Sequence, residues 1–181
     1  MSRVYRIAVS ESLSRIVHVA DGVQTRLELL PILPVERMAG LLAEALIARG
    51  FMVDGHLATR APATGDDVAV VVDLREGTVT VSLGEDREIA VEAVGTGLSP
   101  EEARLDADKR ALRNVEQLTE QARQALTERL EGRLRDLKVE LDRVGNEVTA
   151  QALEERARQL GEIEEIHRDP ETGSMTIKVR L

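Results

Sequence analysis

The spacing of apolar residues changes along the chain, and each change predicts a different element. Residues 3–30 and 51–91 alternate apolar with polar side chains in short runs, which is typical of β-strands. Between them, residues 35–49 repeat their apolar side chains at intervals of three and four, which predicts a helix with one apolar face. After Pro100 the same intervals return and continue without a further proline to Gly145-Asn146, which predicts a much longer helix.

Turn signals separate the predicted strands into antiparallel hairpins. Asp21-Gly22 lies between two β-rich runs and is the strongest short-range signal of a hairpin turn. Further turns are expected at Glu76-Gly77, at Gly84-Glu85 and from Asp169 to Gly173. Three serines, Ser10, Ser12 and Ser14, lie in the polar connection that we expect between the first two predicted strands.

Pro34 and Gly50 delimit the first helix, because proline suits a helix's first turn and glycine its C-terminal cap. A helix between antiparallel hairpins favours an α+β fold over a doubly wound parallel sheet. We predict a mostly antiparallel sheet with one packed helix, then a long amphipathic helix, a short helix and a C-terminal β-hairpin. The chain thus divides into an α+β head (1–98), a coiled-coil-like arm (99–148) and a helix-plus-hairpin tail (149–181).

The long helix begins at a strong N-terminal signal. Ser99-Pro100-Glu101-Glu102 is a capping box with proline at the first helical position. About 46 helical residues span about 69 Å, whereas a compact chain of this size is roughly 40 Å across. The helix is therefore expected to overhang its own domain or to kink.

The apolar stripe of this helix follows a heptad pattern with a stutter between Ala122 and Leu137. Two interpretations stay open: the stripe packs on the chain's own helices, or it forms a coiled-coil interface with another chain. The candidate interaction residues lie in the second half of the stripe: Leu130, Leu134, Leu137, Leu141, Val144 and Val148.

Composition excludes several classes of protein. The 181 residues include no cysteine, one tyrosine and one phenylalanine, and they carry a net charge of −9. The lack of cysteine excludes disulfides, thiolate metal sites and cysteine nucleophiles, and it indicates a reducing compartment. Without a basic region or aromatic stacking platforms, the chain is not expected to bind nucleic acid. No apolar run approaches the roughly 20 residues of a membrane span, so we expect a cytoplasmic protein.

The histidines are the first candidates for chemistry. His18, His56 and His167 lie far apart, and none has a second ligand at a recognisable metal spacing. We therefore expect no metal and no cofactor. The enzyme alternative is a small metal- or ligand-dependent reaction at His167 with the carboxylates from Glu162 to Asp169, or at His18 with Glu11.

Other candidate groups carry weaker signals. No nucleophile elbow surrounds the serines, and no glycine-rich phosphate-binding motif is present, so nucleophilic catalysis and nucleotide binding are not expected. Acidic clusters occur at Asp66-Asp67 and at Glu162, Glu164 and Glu165. Neither cluster has the spacing of a calcium-binding loop.

The N-terminal sequence resembles a known family. The run from Arg3 to Ile7, Ser10-Glu11-Ser12-Leu13, Asp21-Gly22-Val23 and the run from Leu27 to Pro34 carry the likeness. They resemble small accessory proteins encoded beside AAA-type ATPases in predicted bacterial FtsH-type ternary conflict systems. The likeness covers mainly the first 55 residues and, to a lesser extent, the tail from Gly145. It implies a partner-binding component of an ATP-driven defence assembly and assigns no catalytic residue.

Three hypotheses about function follow. The first is a non-enzymatic interaction subunit that binds a partner protein or itself through the long helix, with an AAA-type ATPase system component as the implied partner. The second is the small enzyme described above. The third is a structural protein that polymerises through the helix. Few titratable groups converge on one place in the sequence, which favours the interaction subunit. The apolar stripe of the long helix is the reason to expect a homo-oligomer.

Overall fold

The computed structural model describes residues 5–62, 68–169 and 174–180. The elements, in chain order, are β1 (Ile7–Arg26), α1 (Val35–Ile47), β2 (Met52–Asp54), β3 (Leu57–Arg60), β4 (Ala69–Asp73), β5 (Thr78–Gly97), α2 (Pro100–Leu160), β6 (Glu162–Arg168) and β7 (Met175–Arg180). One antiparallel sheet has the strand order β1-β5-β4-β3-β2, and β6 pairs with β7 in a second sheet. The predicted α+β class, packed helix, long helix and C-terminal hairpin are confirmed.

The first helix forms where the sequence predicted it. α1 buries one face, formed by Met38, Leu41, Leu42, Ala45 and Leu46. Its end is closed by two backbone hydrogen bonds, from Phe51 N–H to the Leu46 carbonyl (3.1 Å) and from Gly50 N–H to the Ile47 carbonyl (3.0 Å). Gly50 has φ +82°, so this is the glycine-closed helix end that the sequence indicated.

The predicted turn at Asp21-Gly22 is wrong, and so is the turn at Gly84-Glu85. β1 and β5 are each continuous for 20 residues and pass straight through these dipeptides. A two-residue hairpin turn between two strands requires positive φ angles, which Gly22 does not have. Instead, a Cβ on Gly22 would lie 3.0 Å from the carbonyl oxygen of Val81, so this glycine permits a close approach of β1 to β5. The three N-terminal serines therefore lie within a strand and not in a loop.

The turn at Glu76-Gly77 is confirmed between β4 and β5. The Oδ1 atom of Asp73 accepts hydrogen bonds from the backbone N–H groups of Arg75 and Glu76, both at 2.9 Å. The Glu76 hydrogen bond is the main cause that lowers the pKa of Asp73 below 3.8, and this favours the charged form that holds the turn. The predicted turn at the C-terminus falls on residues 170–173, outside the described residues.

The predicted break after Gly145-Asn146 is wrong, because α2 is one helix of 61 residues. The short helix predicted from Thr149 is its last part. Val144, Val148 and Ala152 are fully buried and continue one face of the helix across the glycine. A glycine in a helix interior costs about 1 kcal/mol, which is less than the burial of even one of these valine side chains contributes.

The capping box at the start of α2 is confirmed. Ser99 Oγ accepts a hydrogen bond from Glu102 N–H at 3.2 Å, and Glu102 Oε2 accepts one from Leu98 N–H at 2.9 Å. One turn later, Asp106 Oδ2 accepts a hydrogen bond from Thr96 N–H at 3.0 Å, which ties the end of β5 to the helix.

The chain forms two compact units. The first consists of Met1–Asp21 and Leu83–Leu130, and the second of Gly22–Ser82 and Glu131–Leu181. Each unit contains a stretch of β1, β5 and α2. The predicted division of the chain into a head (1–98), an arm (99–148) and a tail (149–181) stays a prediction.

In the first unit, small residues allow α2 to approach β5 closely. Ala103, Ala107 and Ala111 form one buried row on the helix. A Cβ on Gly95 of β5 would fall well inside van der Waals distance of the Ala103 carbonyl oxygen and the Ala107 nitrogen. Only glycine permits this approach between the two backbones.

In the second unit, α1 and β3 are joined to α2 by arginine–glutamate pairs. Arg60 makes two hydrogen bonds to Glu140, at 2.8 and 3.1 Å, and its guanidinium lies 4.7 Å from the ring centre of Phe51. Two further pairs, at 2.8 Å, are Arg49–Glu147 and Arg37–Glu155. The core beneath them contains the apolar face of α1, the valines of β4 and β5, and the buried residues of α2 from Leu137 to Ala157.

Gly132 lies in the interior of α2, and a Cβ there would meet nothing within 4 Å. We expect Gly132→Ala to raise the free energy of unfolding by about 0.5–1 kcal/mol, because alanine has the higher helix propensity. Urea unfolding followed by circular dichroism measures the change. A lower stability in this variant would contradict a regular helix at residue 132.

Gly95→Ala makes the same chemical change in a strand that is packed tightly on α2. We expect it to lower the free energy of unfolding by about 1–3 kcal/mol, because the new methyl group forces β5 and α2 apart. Gly132→Ala is the matched control. If the two variants unfolded at the same urea concentration, the close contact between β5 and α2 would be wrong.

The pKa of Asp106 lies below 3.8. The main cause is the hydrogen bond that Thr96 N–H donates to it, and the second is the hydrogen bond from the Arg110 side chain. A carboxyl whose pKa is lowered by folding stabilises the protein above the unfolded pKa, and this contribution is lost as the pH falls through the folded pKa. We expect Asp106→Asn to be less stable than the parent chain at pH 7, and the difference to shrink as the pH falls below 3.8. Urea unfolding over a pH series tests this, with Asp108→Asn as the control for loss of one charge on the same helix.

Candidate protein-binding groove

The second unit contains a groove of about 730 Å³ between residues 23–28 and residues 134–146 of α2. The apolar residues that line it are Val23, Leu27, Val81, Leu134, Leu137 and Leu141. Leu137 and Leu141 are each 5% exposed, whereas Val23 is 39% exposed. The groove therefore has a buried aliphatic floor and an accessible wall on the β1 side.

The groove exists because the packing of β1 changes along its length. From Val9 to Asp21, the odd-numbered residues are generally less exposed than their neighbours, and Val19 is fully buried. This alternation ends at Gly22, and every residue from 22 to 26 is exposed. On α2, Leu134 is only partly buried although its neighbours in the stripe, Leu130 and Leu137, are buried. No side chain fills the space between these two stretches.

Charged side chains of both signs surround the aliphatic floor. Arg26 and Glu28 lie on one side, and Lys138 and Asp142 lie on α2. Two of these side chains are cations and two are anions, so the rim carries no net charge. Such an arrangement can hold aliphatic groups of a ligand and pair with polar groups beside them.

The structure divides the six predicted interaction residues into two groups. Leu134, Leu137 and Leu141 line the groove. Leu130, Val144 and Val148 are at most 3% exposed and belong to the core of the chain itself. Packing within the chain, the first of the two interpretations of the stripe, thus accounts for these three residues. A role of the stripe in binding another chain stays a prediction.

His18 is placed beside an acid, but not the one proposed from the sequence. Its Nδ1 atom lies 2.7 Å from Asp86 Oδ1 of β5, and both side chains are largely exposed. Glu11 forms an ion pair with Arg104 at 2.9 Å. Position 11 lies on the less exposed face of β1 and position 18 on the other, so the strand does not bring His18 and Glu11 together.

The carboxylates near His167 are occupied by basic side chains. Glu165 pairs with Lys178 at 3.0 Å, and Glu164 pairs with Arg180 at 2.6 Å. His167 lies opposite Thr176 in the register of β6 and β7. Among residues 5–62, 68–169 and 174–180, no three histidine or acidic side chains form a group that could hold a metal. The Asp66-Asp67 cluster lies outside the described residues.

His56 lines a second, smaller cleft of about 430 Å³ in the second unit, beside α1. Its Nε2 atom is 3.9 Å from Asp73 Oδ2. Glu36 and Arg75, which also line this cleft, pair with each other at 3.3 Å. The charged groups of the cleft are therefore already engaged in contacts with one another.

The N-terminal serines belong to a cross-strand ladder that sequence reasoning missed. Ser10 donates a hydrogen bond to Glu92 at 2.7 Å, and Ser14 donates one to Glu88 at 2.8 Å. Ser14 and His18 are four residues apart on an extended strand, about 13 Å. A serine–histidine nucleophile is thus not formed there. The odd-numbered valines on both sides of Asp21-Gly22, which are Val17, Val19 and Val23, are a signal that could have indicated a single strand.

Sequence reasoning also missed the residues that close the groove from the β1 side. Val23 and Leu27 were interpreted as part of a strand that follows a turn at Asp21-Gly22, and a strand pattern alone does not say which helix lies beneath it. The glutamates of α2 that pair with the arginines could be predicted in part from the sequence. Glu140 and Glu147 are seven residues apart on α2 and therefore lie on one side of the helix.

Of the described helices, neither is both long and apolar enough to cross a membrane.

Comparison with known proteins adds one positive finding. The search of curated proteins and the search of solved structures each returned no match. The model of the family FtsH ternary system domain X5 matches residues 1–181, the whole chain. The resemblance noted in the N-terminal sequence is therefore confirmed over the full length, and this chain belongs to the FtsH ternary system domain X5 family.

Proposed function

We propose that the chain is a non-catalytic accessory component of an FtsH ternary system and that it binds a partner protein of that system through α2. The observation that carries this proposal is the family match over residues 1–181, because the family is described as a domain of a ternary system. A component of a multi-part system acts through contact with the other parts. The proposed partner is the ATPase component.

The arrangement of polar groups supports a binding role over a catalytic one. Asp86 lies beside the exposed His18, Glu164 and Glu165 near His167 pair with basic side chains, and the arginines of α1 and β3 join elements of the fold. Catalytic sites usually place titratable groups together in a cleft where burial tunes them. The groove beside α2 instead offers aliphatic side chains, which suit a protein ligand.

The groove is the proposed contact surface. Leu134, Leu137 and Leu141 lie on α2 and were selected from the sequence as interaction residues. The apolar area of the groove that stays accessible, mainly on Val23 and on the partly buried Leu134, contributes to binding when a partner covers it, at about 25 cal/mol per Å². The predicted self-association through α2 is an alternative use of the same surface.

Co-expression of the full chain with the ATPase component of its own ternary system tests the proposal. We expect a complex that survives size-exclusion chromatography and whose mass by light scattering fits both proteins. Leu134→Glu should weaken it at least about tenfold, because it removes an aliphatic side chain from the groove and places a carboxylate on the apolar surface that the partner covers. Val139→Glu makes a matched change on an exposed part of α2 that does not line the groove and should leave affinity unchanged.

Light scattering of the chain alone separates the two uses of the groove. A monomer that forms the complex supports binding of a different protein, and a dimer that Leu134→Glu dissociates supports self-association. Failure of the chain to bind any protein encoded in the same system would overturn the proposed function.

A further inference from the structure

The groove lies beside the edge of a sheet, which adds a second kind of binding group to its aliphatic floor. In the strand order of the five-stranded sheet, β1 is the end strand and β5 is its neighbour. Among the described residues, no strand pairs with β1 on its other side. From Val23 to Arg26, the part of β1 beside the groove, the backbone N–H and C=O groups on that side can pair with an additional strand.

The outward-facing backbone groups of β1 can be identified from one hydrogen bond. Leu27 N–H donates to the Gly77 carbonyl at 2.7 Å, so the backbone of residue 27 faces the chain of β5. Successive residues of a strand direct their backbone groups to opposite sides in an antiparallel pair. Thr25 therefore faces β5 as well, whereas Gln24 and Arg26 direct their N–H and C=O groups away from it.

These outward groups lie directly beside the groove. Val23, Thr25 and Arg26 of β1 line one wall, and Leu134, Leu137 and Leu141 of α2 lie opposite them. The groove extends along residues 134–146 of the helix, about 18 Å, which matches a strand of five or six residues. Every second side chain of such a strand would point to the aliphatic floor.

We infer that the groove takes an extended segment of the partner protein, which adds as a strand to the free edge of β1 and inserts aliphatic side chains at alternate positions between β1 and α2. The occupant is specified by two complementary features. The backbone edge requires an extended chain, and the floor requires apolar side chains at every second position. The rim, with Arg26, Lys138, Glu28 and Asp142, favours a segment whose intervening residues are polar and of both signs.

This inference rests on the proposed function, since it names the form in which the partner binds. A helix laid in the groove and a second copy of the chain are the competing occupants. An added strand differs from both in one respect: its own backbone N–H groups alternate between those bonded to β1 and those that face away.

A displayed library of random dodecapeptides, selected on the full-length chain, supplies the probe. We expect enriched peptides to carry valine, isoleucine or leucine at alternate positions, and a labelled copy of the best peptide to bind in a fluorescence anisotropy titration. Leu134→Glu should weaken binding at least about tenfold, and Val139→Glu should leave it unchanged. Peptides that bind Leu134→Glu as well as the parent chain would overturn the inference.

Gln24→Pro removes one outward N–H of β1 and should weaken the peptide about fivefold, while Gln24→Thr keeps the N–H and should bind normally. Proline is tolerated on an edge strand when its nitrogen faces outward, so the variant should retain the parent's circular dichroism spectrum.

A second measurement does not depend on the folding of a variant. A scan of the peptide with single N-methyl groups should lose affinity at every second position. A scan without this alternation, or a bound peptide with helical circular dichroism, would overturn strand addition.

These experiments distinguish failure of strand addition from failure of the proposed function. If the ATPase complex is lost with Leu134→Glu but persists with Gln24→Pro, the accessory role stands and strand addition is wrong. If the parent chain forms no complex with any protein of its system, the proposed function is wrong, whatever the peptides do.

Discussion

In both units, the apolar stripe of α2 is buried and forms part of the core. The stripe continues from Ala103 to Ala157 and is fully buried at Leu126, Val144 and Val148. Each fully buried leucine or valine contributes about 1.5–3 kcal/mol, so this stripe outweighs the propensity costs of Gly132 and Gly145 many times over. With only one phenylalanine and one tyrosine in the chain, the core depends on close packing of small and aliphatic side chains. The alanine row against Gly95 is one result of that constraint.

The groove is the place where this packing is incomplete. Between Leu130 and Leu137 the stripe has only Leu134, which is partly buried, and β1 offers no side chain to cover it. Apolar surface left in contact with water lowers stability, and exposed apolar patches in folded proteins commonly mark binding sites. In the proposed complex, the sheet edge beside the gap selects an extended backbone, so the proposed geometry of binding follows from where the core stops.

The charged residues mostly hold the fold together. Glu140, Glu147 and Glu155 lie along one side of α2 and receive arginines from β3 and α1. Surface pairs of this kind contribute at most about 1 kcal/mol each, so they orient the elements more than they stabilise them. Asp73 and Asp106, the carboxylates whose pKa values are lowered, accept backbone hydrogen bonds at a turn and near a helix start. These two carboxylates therefore act as hydrogen-bond acceptors that hold the backbone in place.

The sequence by itself determined the elements whose signals are local. The closure of α1 at Gly50, the capping box at Ser99 and the turn at Glu76-Gly77 each depend on residues within a few positions of one another, and all three formed as predicted. The family was also evident from the N-terminal sequence. Half of the predicted interaction residues line the groove, because the spacing of the stripe reports which side of α2 is apolar.

Only the tertiary structure decided the features that depend on distant partners. Asp21-Gly22 and Gly84 lie within continuous strands because β1 pairs with β5, which replaces the hydrogen bonds of two local hairpins. Gly145 stays helical because residues far away in sequence cover Val144 and Val148. The groove itself is a mismatch between two packed surfaces. Such a mismatch arises from how elements meet, and neither strand spacing nor helix spacing encodes it.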